Sequence, residues 1–232
     1  MRMKLAVLTA ATIMMMGTCG VGIADDTQTQ ASYVIGYNLG YGYGIVNTQL
    51  NTNMVNQGIK DGLALAKPVY TQAQMAQAMA AFQQIVNGNV KKQLQEIASK
   101  NLENSKTYIE KKSKEPGVEK IQEGLYYKVV QQGTGPMPKP TDWVTLNYQG
   151  MLPNGTVFYD TFVSAKTEQF QLSQTLLGWQ KAIQKMPVGS TWVVYIAPSL
   201  GYGLYGPWNI GPNQALTYKI QLVAALPPLG TK

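Results

Sequence analysis

The sequence predicts an α+β protein with an N-terminal helical segment, a long connecting helix, and a C-terminal antiparallel sheet wrapped around one short helix. Apolar and polar residues alternate over 144–148 and 216–222, as in strands that bury one face. Between these strands, a short amphipathic helix begins near Trp179. Residues 71–115 contain no proline, which predicts one helix of more than ten turns.

Residues 1–24 have the features of a secretory signal peptide. Arg2 and Lys4 precede an apolar run of about a dozen residues, and small residues lead to a cleavage site expected after Ala24. The run is too short to be a permanent membrane anchor. We therefore expect a periplasmic, outer-surface or secreted protein with no integral membrane segment. The alternative is a lipoprotein acylated at Cys19, but the three residues before Cys19 resemble a lipobox poorly.

The composition excludes several kinds of site. Cys19 is the only cysteine and the chain has no histidine, so the mature protein has no disulfide, no Cys/His zinc site and no Ser-His or Cys-His catalytic pair. We expect no metal and no cofactor. The net charge is +7, but the only arginine is Arg2, which leaves with the signal peptide. Without arginine to contact phosphates and bases, nucleic-acid binding is not expected.

Residues 25–70 are predicted to form an N-terminal helical dimerisation segment. Two short helices are expected between residues 31 and 66, the first ending near Gly42 and Gly44 and the second capped by Asn51. A segment of this size buries too little apolar surface to be stable alone. We therefore expect a homodimer formed through it.

Residues 71–115 are predicted to be the long connecting helix. Thr71 and Gln74 have the spacing of a capping box at its start. Its first part carries an apolar stripe, whereas its second part carries lysine and glutamate pairs four residues apart, such as Glu110 with Lys114. This pattern is typical of a solvent-exposed connecting rod. The alternative is a helix that lies along one globular domain.

Residues 119–232 are predicted to form the sheet domain. Its first strand is expected in "GLYYKVVQQGTG", and Asn154-Gly155 marks a hairpin turn. The short helix is indicated by four apolar residues at helical spacing: Trp179, Ala182, Ile183 and Met186. The "GYGLYG" stretch at 201–206 matches a dinucleotide-binding pattern, but no helix follows it, so it is predicted to be a loop.

Three stretches carry a family resemblance: "VTLNYQGMLPNGTVF", "LLGWQKAIQKMPVGSTWVVYIAPSLGYG" and "IGPNQALTYKIQLV". Their order resembles the catalytic domain of FKBP-type peptidyl-prolyl cis/trans isomerases, and the helices before them resemble the macrophage infectivity potentiator (Mip) branch. The resemblance implies an exported isomerase that assists protein folding. It also implies proline-containing polypeptides as substrates, a homodimer, and macrolide inhibitors as ligands.

Rotation about an X-Pro bond requires no nucleophile, because an apolar pocket can favour the twisted amide over the planar one. The resemblance places Trp179 under the proline ring, the Leu176 backbone N–H on the peptide, and the Tyr202 hydroxyl nearby. The implied catalytic residues are Tyr148, Phe158, Asp160, Trp179, Tyr202 and Tyr218. The implied substrate-binding residues are Tyr159, Phe170, Thr175, Leu176 and Ile210. On the aromatic pattern alone, a packed core is the better interpretation, and only the ordered resemblance favours a pocket.

The sequence departs from the family at one position. Family members usually have aspartate directly after the phenylalanine of the second strand, whereas here Tyr159 follows Phe158 and Asp160 comes next. Either a bulge brings Asp160 to the pocket, or the carboxylate is lost there. The spacing favours the loss, which implies reduced activity and weaker macrolide binding. The alternative function is a dimeric chaperone or protein-binding module with a weakened or inactive pocket.

Overall fold

The computed structural model of the protein describes residues 23–164 and 166–228. Residues 1–22 of the expected signal peptide, including Cys19, lie outside these ranges. The chain divides into two compact units, residues 1–89 and residues 90–232. In the described part of the chain, no helix is both long enough and apolar enough to cross a membrane.

Four α-helices and seven strands make up the described chain. The helices are α1 (Ile23–Gly44), α2 (Thr52–Leu63), α3 (Gln72–Ser113) and α4 (Leu177–Ile183). The strands are β1 (Val118–Gln122), β2 (Leu125–Gln131), β3 (Trp143–Met151), β4 (Val157–Asp160), β5 (Glu168–Gln171), β6 (Thr191–Ile196) and β7 (Leu216–Leu226). These elements confirm the α+β class predicted from the sequence.

The helix boundaries of the first unit largely follow their capping residues. Asn51 Oδ1 accepts the Met54 backbone N–H at 3.2 Å, as expected of an N-cap. Thr71 and Gln74 form the predicted capping box, since each side chain accepts the other residue's backbone N–H. Helix α1 ends at Gly44 as predicted but begins earlier than predicted. Helix α3 continues without a break through Gly88.

The first unit buries very little of its apolar surface within one chain. Helix α2 has no buried residue. Among the described side chains of this unit, only Thr48 is buried. Asn89 Nδ2 donates to the Thr48 side chain and to the Asn47 carbonyl. The exposed aromatic and aliphatic side chains include Tyr33, Ile35, Tyr37, Tyr41, Ile59, Leu63, Met79 and Ile85. A single copy of this unit therefore has no hydrophobic core of its own.

The seven strands form one antiparallel sheet in the order β1-β2-β6-β7-β3-β4, with β5 also paired to β3. Strand β3 is central to the site, because β4 pairs with its end from Gln149 to Met151 and β5 with its start from Trp143 to Leu146. Strand β1 was not predicted from the sequence. The strand predicted as the first one is β2, which pairs with β6.

Helix α4 covers one face of this sheet. Trp179, Ala182, Ile183 and Met186 are all buried, as their spacing predicted, and they pack with Val144, Leu146, Ile220 and Leu222 of the sheet. The helix lies very close to β6. A Cβ atom at Gly178 would be 2.6 Å from the Ile196 side chain, so only glycine permits this approach.

The second part of α3 covers the opposite face of the sheet, which corrects the expectation of a solvent-exposed rod. Ile109 packs with Tyr126, Tyr195 and Ala215 in a second apolar cluster. The expectation that the strand over 216–222 buries only one face is wrong at the start of β7, where Leu216, Thr217 and Tyr218 are all buried. Of the predicted lysine–glutamate pairs in the described helix, only Glu110 with Lys114 forms, at 2.6 Å.

Polar side chains attach this part of α3 to the loop before β7. The Ser105 hydroxyl donates to the Asn213 carbonyl at 2.9 Å and accepts the Ala215 backbone N–H at 2.7 Å. Asn101 donates to the Pro212 carbonyl at 2.8 Å. The Tyr108 hydroxyl lies 2.6 Å from the Thr217 hydroxyl. The Ala98–Ser113 part of α3 therefore belongs to the sheet domain.

The substitution Ser105→Ala is expected to destabilise residues 90–232. It removes the acceptor of the Ala215 N–H in a fully buried place, and leaving such a group unsatisfied costs about 1–3 kcal/mol. Urea denaturation would measure the change in unfolding free energy. Ser99→Ala, at an exposed position on the same helix, is the matched control and should change it little. Equal effects of the two substitutions would contradict the role of Ser105 in attaching the helix.

Candidate functional site

A cavity of about 420 Å³ opens beside α4 on its face of the sheet. Its walls come from β3, β4, β5, β7 and α4, from the segment between β5 and α4, and from the loop between β6 and β7. The lining residues are Tyr148, Phe158, Tyr159, Phe170, Gln174, Thr175, Leu176, Trp179, Tyr202, Pro207, Asn209, Ile210 and Tyr218. None of these side chains carries a formal charge at neutral pH, so the cavity is an aromatic and largely apolar cup.

The Trp179 ring forms the centre of the aromatic cluster. It meets Tyr148 at a centroid distance of 4.8 Å, Tyr218 at 4.9 Å and Phe170 at 5.7 Å, in each case edge to face. Its side chain is only 5% exposed. The buried indole N–H has no hydrogen-bond partner among the described residues. Trp179 therefore offers an apolar ring surface, held in place by three neighbouring rings.

A β-bulge in β4 decides which of its side chains face the cavity. Gly150 pairs with Tyr159 and Met151 with Val157, so Phe158 is the extra residue. Consecutive residues of a regular strand point to opposite faces, whereas here both Phe158 and Tyr159 line the cavity. A Cβ atom at Gly150 would lie 2.5 Å from the Phe158 ring, so glycine at this position lets the ring pack on the strand.

Asp160 lies outside the lining of the cavity, so it is not the cavity residue that the resemblance implied, and the position agrees with the loss that the spacing favoured. Its carboxylate accepts Gln149 Nε2–H at 2.5 Å and the Phe162 backbone N–H at 2.8 Å. The sequence indicated no extra residue for a bulge, but the bulge is present. It turns Tyr159 toward the cavity and leaves Asp160 in a local turn.

A different carboxylate, Glu168 of β5, contacts the cavity wall. The Tyr148 hydroxyl donates to Glu168 Oε2 at 2.9 Å, and the Tyr159 hydroxyl donates to Glu168 Oε1. The two phenol rings stack with their centroids 5.1 Å apart and their planes 14° apart. Glu168 therefore joins two strands at the edge of the cavity.

Two family models cover most of the chain. Residues 135–223 match the FKBP-type peptidyl-prolyl cis-trans isomerase family, and residues 28–129 match the domain amino-terminal to FKBP-type peptidyl-prolyl isomerase. The chain belongs to the FKBP-type peptidyl-prolyl cis-trans isomerase family. The second match extends from α1 into β2, so the family covers the helical segment as well as the sheet domain.

Full-length relatives place this FKBP-type chain in the Mip branch. It is 33% identical to the outer membrane protein MIP of Legionella longbeachae, over 96% of this chain and 98% of the relative. It is 32% identical to the peptidyl-prolyl cis-trans isomerase Mip of Coxiella burnetii, over 85% of this chain and 86% of the relative. The crystal structure of FkpA from Escherichia coli matches with a TM-score of 0.73 at 27% identity, over 85% of this chain and 96% of that one.

The FKBP-type cavity brings together ten of the eleven residues proposed for it from the sequence, all except Asp160. Sequence reasoning missed Gln174, Pro207 and Asn209 in the lining. Each is near a proposed residue in the chain, but none stands at a position to which the resemblance assigned a role. Glu168 was missed as well, although it lies two residues before Phe170 in the same strand, where alternate side chains share a face.

The pKa values of three phenols in this FKBP-type site are raised above the ordinary value for tyrosine. It raises the pKa of Tyr148 far above its ordinary value, and the hydrogen bond to Glu168 adds to this effect. Burial, followed by the neighbouring Tyr202, likewise raises the pKa of Tyr218. The pKa of Tyr159 is raised mainly by its hydrogen bond to Glu168. The site therefore presents neutral rings and hydrogen-bond donors at neutral pH.

Proposed function

We propose that this protein is an exported peptidyl-prolyl cis/trans isomerase that accelerates folding by binding a proline residue in the aromatic cavity beside α4. The observation that carries the proposal is the uncharged aromatic cup around Trp179. A volume of about 420 Å³ accommodates a proline ring with the neighbouring peptide groups. The substrates are proline-containing polypeptides.

The chemistry of the reaction fits a cavity of this kind. Rotation about the X-Pro bond has a barrier of about 18–20 kcal/mol, because the planar amide is stabilised by resonance. The twisted amide has lost that resonance and much of the charge on its oxygen. A cavity that excludes water removes hydration from the more dipolar planar amide, so the twisted amide becomes relatively more favourable. No covalent intermediate, metal or cofactor takes part.

Three groups are proposed to hold the substrate. Trp179 would lie under the proline ring as the floor of the cavity. The Leu176 backbone N–H, which precedes the first turn of α4 and has no acceptor within the described chain, would donate to a carbonyl of the bound peptide. The Tyr202 hydroxyl, from the loop between β6 and β7, would bind the other side of the peptide.

A protease-coupled assay on the purified mature protein tests this function. A peptide whose trans X-Pro form alone is cleaved should be converted faster in the presence of the protein, in proportion to protein concentration. The uncatalysed reaction takes tens to hundreds of seconds, so catalysis is easily resolved. A rate equal to the uncatalysed one at micromolar protein would reject the isomerase function.

We further propose that the protein is a homodimer formed through residues 25–70 and that it acts in the periplasm or at the outer surface. The exposed apolar side chains of α1 and α2 support dimerisation, because a monomer would leave them in water. The pattern of residues 1–24 supports export. Macrolide inhibitors are proposed as weak ligands, because Tyr159 stands where the family usually has aspartate.

A binding role toward unfolded clients is the second candidate function, and the loop beside the cavity favours it. Trp208 is 96% exposed and Tyr205 is 91% exposed. Leu204 is also exposed and lies with Tyr205 between Gly203 and Gly206. Exposed aromatic side chains of this size commonly contact protein partners. Pro207 and Asn209, on either side of Trp208, line the cavity. A client chain held at the cavity would therefore lie within reach of these side chains.

Replacing both loop aromatics separates the two roles. The variant Tyr205→Ser/Trp208→Ser should suppress aggregation of an unfolded client less well than wild type, by about tenfold in the concentration needed, since two aromatic contacts are lost. Activity on a short proline peptide should change by less than about threefold, because neither side chain lines the cavity. Val129→Ser/Val130→Ser, at exposed apolar positions of β2, is the control. If the double variant suppresses client aggregation as well as wild type does, the loop is not part of the binding surface.

A further inference from the structure

One carboxylate accepts hydrogen bonds from two tyrosines of the cavity wall. Glu168 accepts from Tyr148 with one oxygen and from Tyr159 with the other. The two rings are stacked, and Tyr148 also packs edge to face on Trp179 at 4.8 Å. A single side chain therefore fixes the position of two aromatic rings that lead directly to the base of the cavity.

The position of Glu168 is fixed by strand pairing. Residue 168 lies opposite Leu146 in the antiparallel pair of β5 with β3, two residues before the cavity residue Phe170. Its side chain is partly buried. Tyr159, in contrast, is 44% exposed and lies beside the bulge of β4. The strand pairing thus holds Glu168 more firmly than Tyr159, and the hydrogen bond to Glu168 restrains the more exposed Tyr159 ring.

Within the part of the chain that the structure describes, no lysine forms an ion pair with Glu168. The three ion pairs among the described residues involve Glu110, Glu115 and Glu123, all outside the cavity. Asp160, the other carboxylate near β4, is occupied by Gln149 and by the Phe162 backbone N–H. The partners of Glu168 are therefore the two phenols, and hydrogen bonds to a charged acceptor are stronger than bonds between neutral groups.

We propose that Glu168 is a positioning residue whose carboxylate holds Tyr148 and Tyr159 as one rigid wall of the proline-binding cavity. This inference rests on the proposed function. With both phenol protons directed at Glu168, the wall presents ring surfaces to the proline. The same arrangement occupies the carboxylate, so a ligand that donates a hydrogen bond must first displace a tyrosine hydroxyl.

The substitution Glu168→Gln tests the role of the carboxylate while keeping a side chain of the same size. Glutamine replaces one of the two acceptor oxygens with an NH₂ group, so the phenol that faces this group loses its acceptor. We expect kcat/KM for a proline peptide to fall by about tenfold, the factor that corresponds to the loss of one charge-assisted hydrogen bond. Glu119→Gln is the matched control, because Glu119 accepts from Tyr127 at 2.5 Å, with neither residue in the cavity. That variant should stay within about twofold of wild type.

A double-mutant cycle tests whether Glu168 acts through Tyr159. Tyr159→Phe removes one donor and leaves Glu168 in place, so it also informs on the contact if Glu168→Gln does not fold. In the Tyr159→Phe background, Glu168→Gln should lower kcat/KM by clearly less than it does alone. Equal factors in both backgrounds would overturn the proposal, because the two residues would then act independently.

Titration of Tyr159 gives a readout that does not depend on activity. The ionisation of this phenol can be followed by NMR of protein labelled with ¹³C-tyrosine, with the signal assigned from Tyr159→Phe. Glu168→Gln should lower the midpoint, because the carboxylate that disfavours the phenolate is gone. Glu119→Gln should leave it unchanged. A wild type without isomerase activity would reject the proposed function, while the titration would still decide the contact. An unchanged midpoint, or a shifted midpoint with unchanged kcat/KM in an active protein, would overturn the positioning role.

Discussion

Replacing Trp179 with leucine is expected to lower kcat/KM for a proline peptide by about 30- to 100-fold, because packing an apolar ring on the aromatic floor is worth about 2–3 kcal/mol. Leucine keeps the site apolar but removes the flat surface that meets Tyr148, Phe170 and Tyr218. The measurement is the protease-coupled rate as a function of peptide concentration. The loss should appear mainly in KM, since the ring contacts the proline in both the planar and the twisted state and so contributes equally to the binding of both.

Trp192→Leu is the control that separates catalysis from stability. Trp192 is 3% exposed, its indole N–H also has no partner in the described chain, and it stacks on Tyr127 at 4.1 Å, outside the cavity. Both substitutions should lower the unfolding free energy by about 2–4 kcal/mol in urea denaturation. Only Trp179→Leu should lose activity beyond its folded fraction. Parallel activity losses in the two variants would contradict the assignment of Trp179 as the floor of the site.

Removing the second part of α3 is expected to cost the sheet domain most of its stability. We propose that the independently folding unit begins at Val90, whereas a fragment of residues 119–232 would expose the cluster around Tyr126, Tyr195 and Ala215. It would also lose every hydrogen bond that joins α3 to residues 212–217. Together these losses exceed about 4 kcal/mol, which is comparable to the whole stability of many small domains.

Thermal unfolding and light scattering of three proteins test this boundary. The mature chain should be a dimer, residues 90–232 should be a folded and active monomer, and residues 119–232 should be largely unfolded or aggregated. If residues 119–232 prove as stable and active as residues 90–232, the packing of α3 on the sheet contributes nothing. A mature chain that is monomeric at micromolar concentration would reject the dimer.

The parts of the fold predicted from sequence are those with a strong periodic signal. Three apolar residues of α4 and Met186 just after it recur at helical spacing, and the capping residues Asn51 and Thr71 marked the starts of two helices. The central strands alternate clearly, so their pairing in one antiparallel sheet followed. The lining of the cavity was assigned only through the resemblance, because the same aromatic pattern fits a closed core.

The features that were missed depend on polar contacts between residues distant in the chain. Asn101 and Ser105 attach the second part of α3 to the loop before β7, and a search for apolar stripes passes over such residues. The bulge at Phe158 depends on the register between β3 and β4. The role proposed for Glu168 depends on two hydroxyls that come from other strands. Hydrophobic periodicity carries no information on these contacts.

The most direct test of the central claim is the rate of cis/trans exchange of a proline peptide, observed by two-dimensional NMR exchange spectroscopy with residues 90–232. Both isomers are observed at equilibrium, so no protease or refolding step intervenes. We predict exchange cross-peaks on a timescale of about a second or less with a catalytic amount of wild-type fragment, against tens to hundreds of seconds without it. Exchange as slow as in the free peptide, with a folded fragment present, would contradict the account.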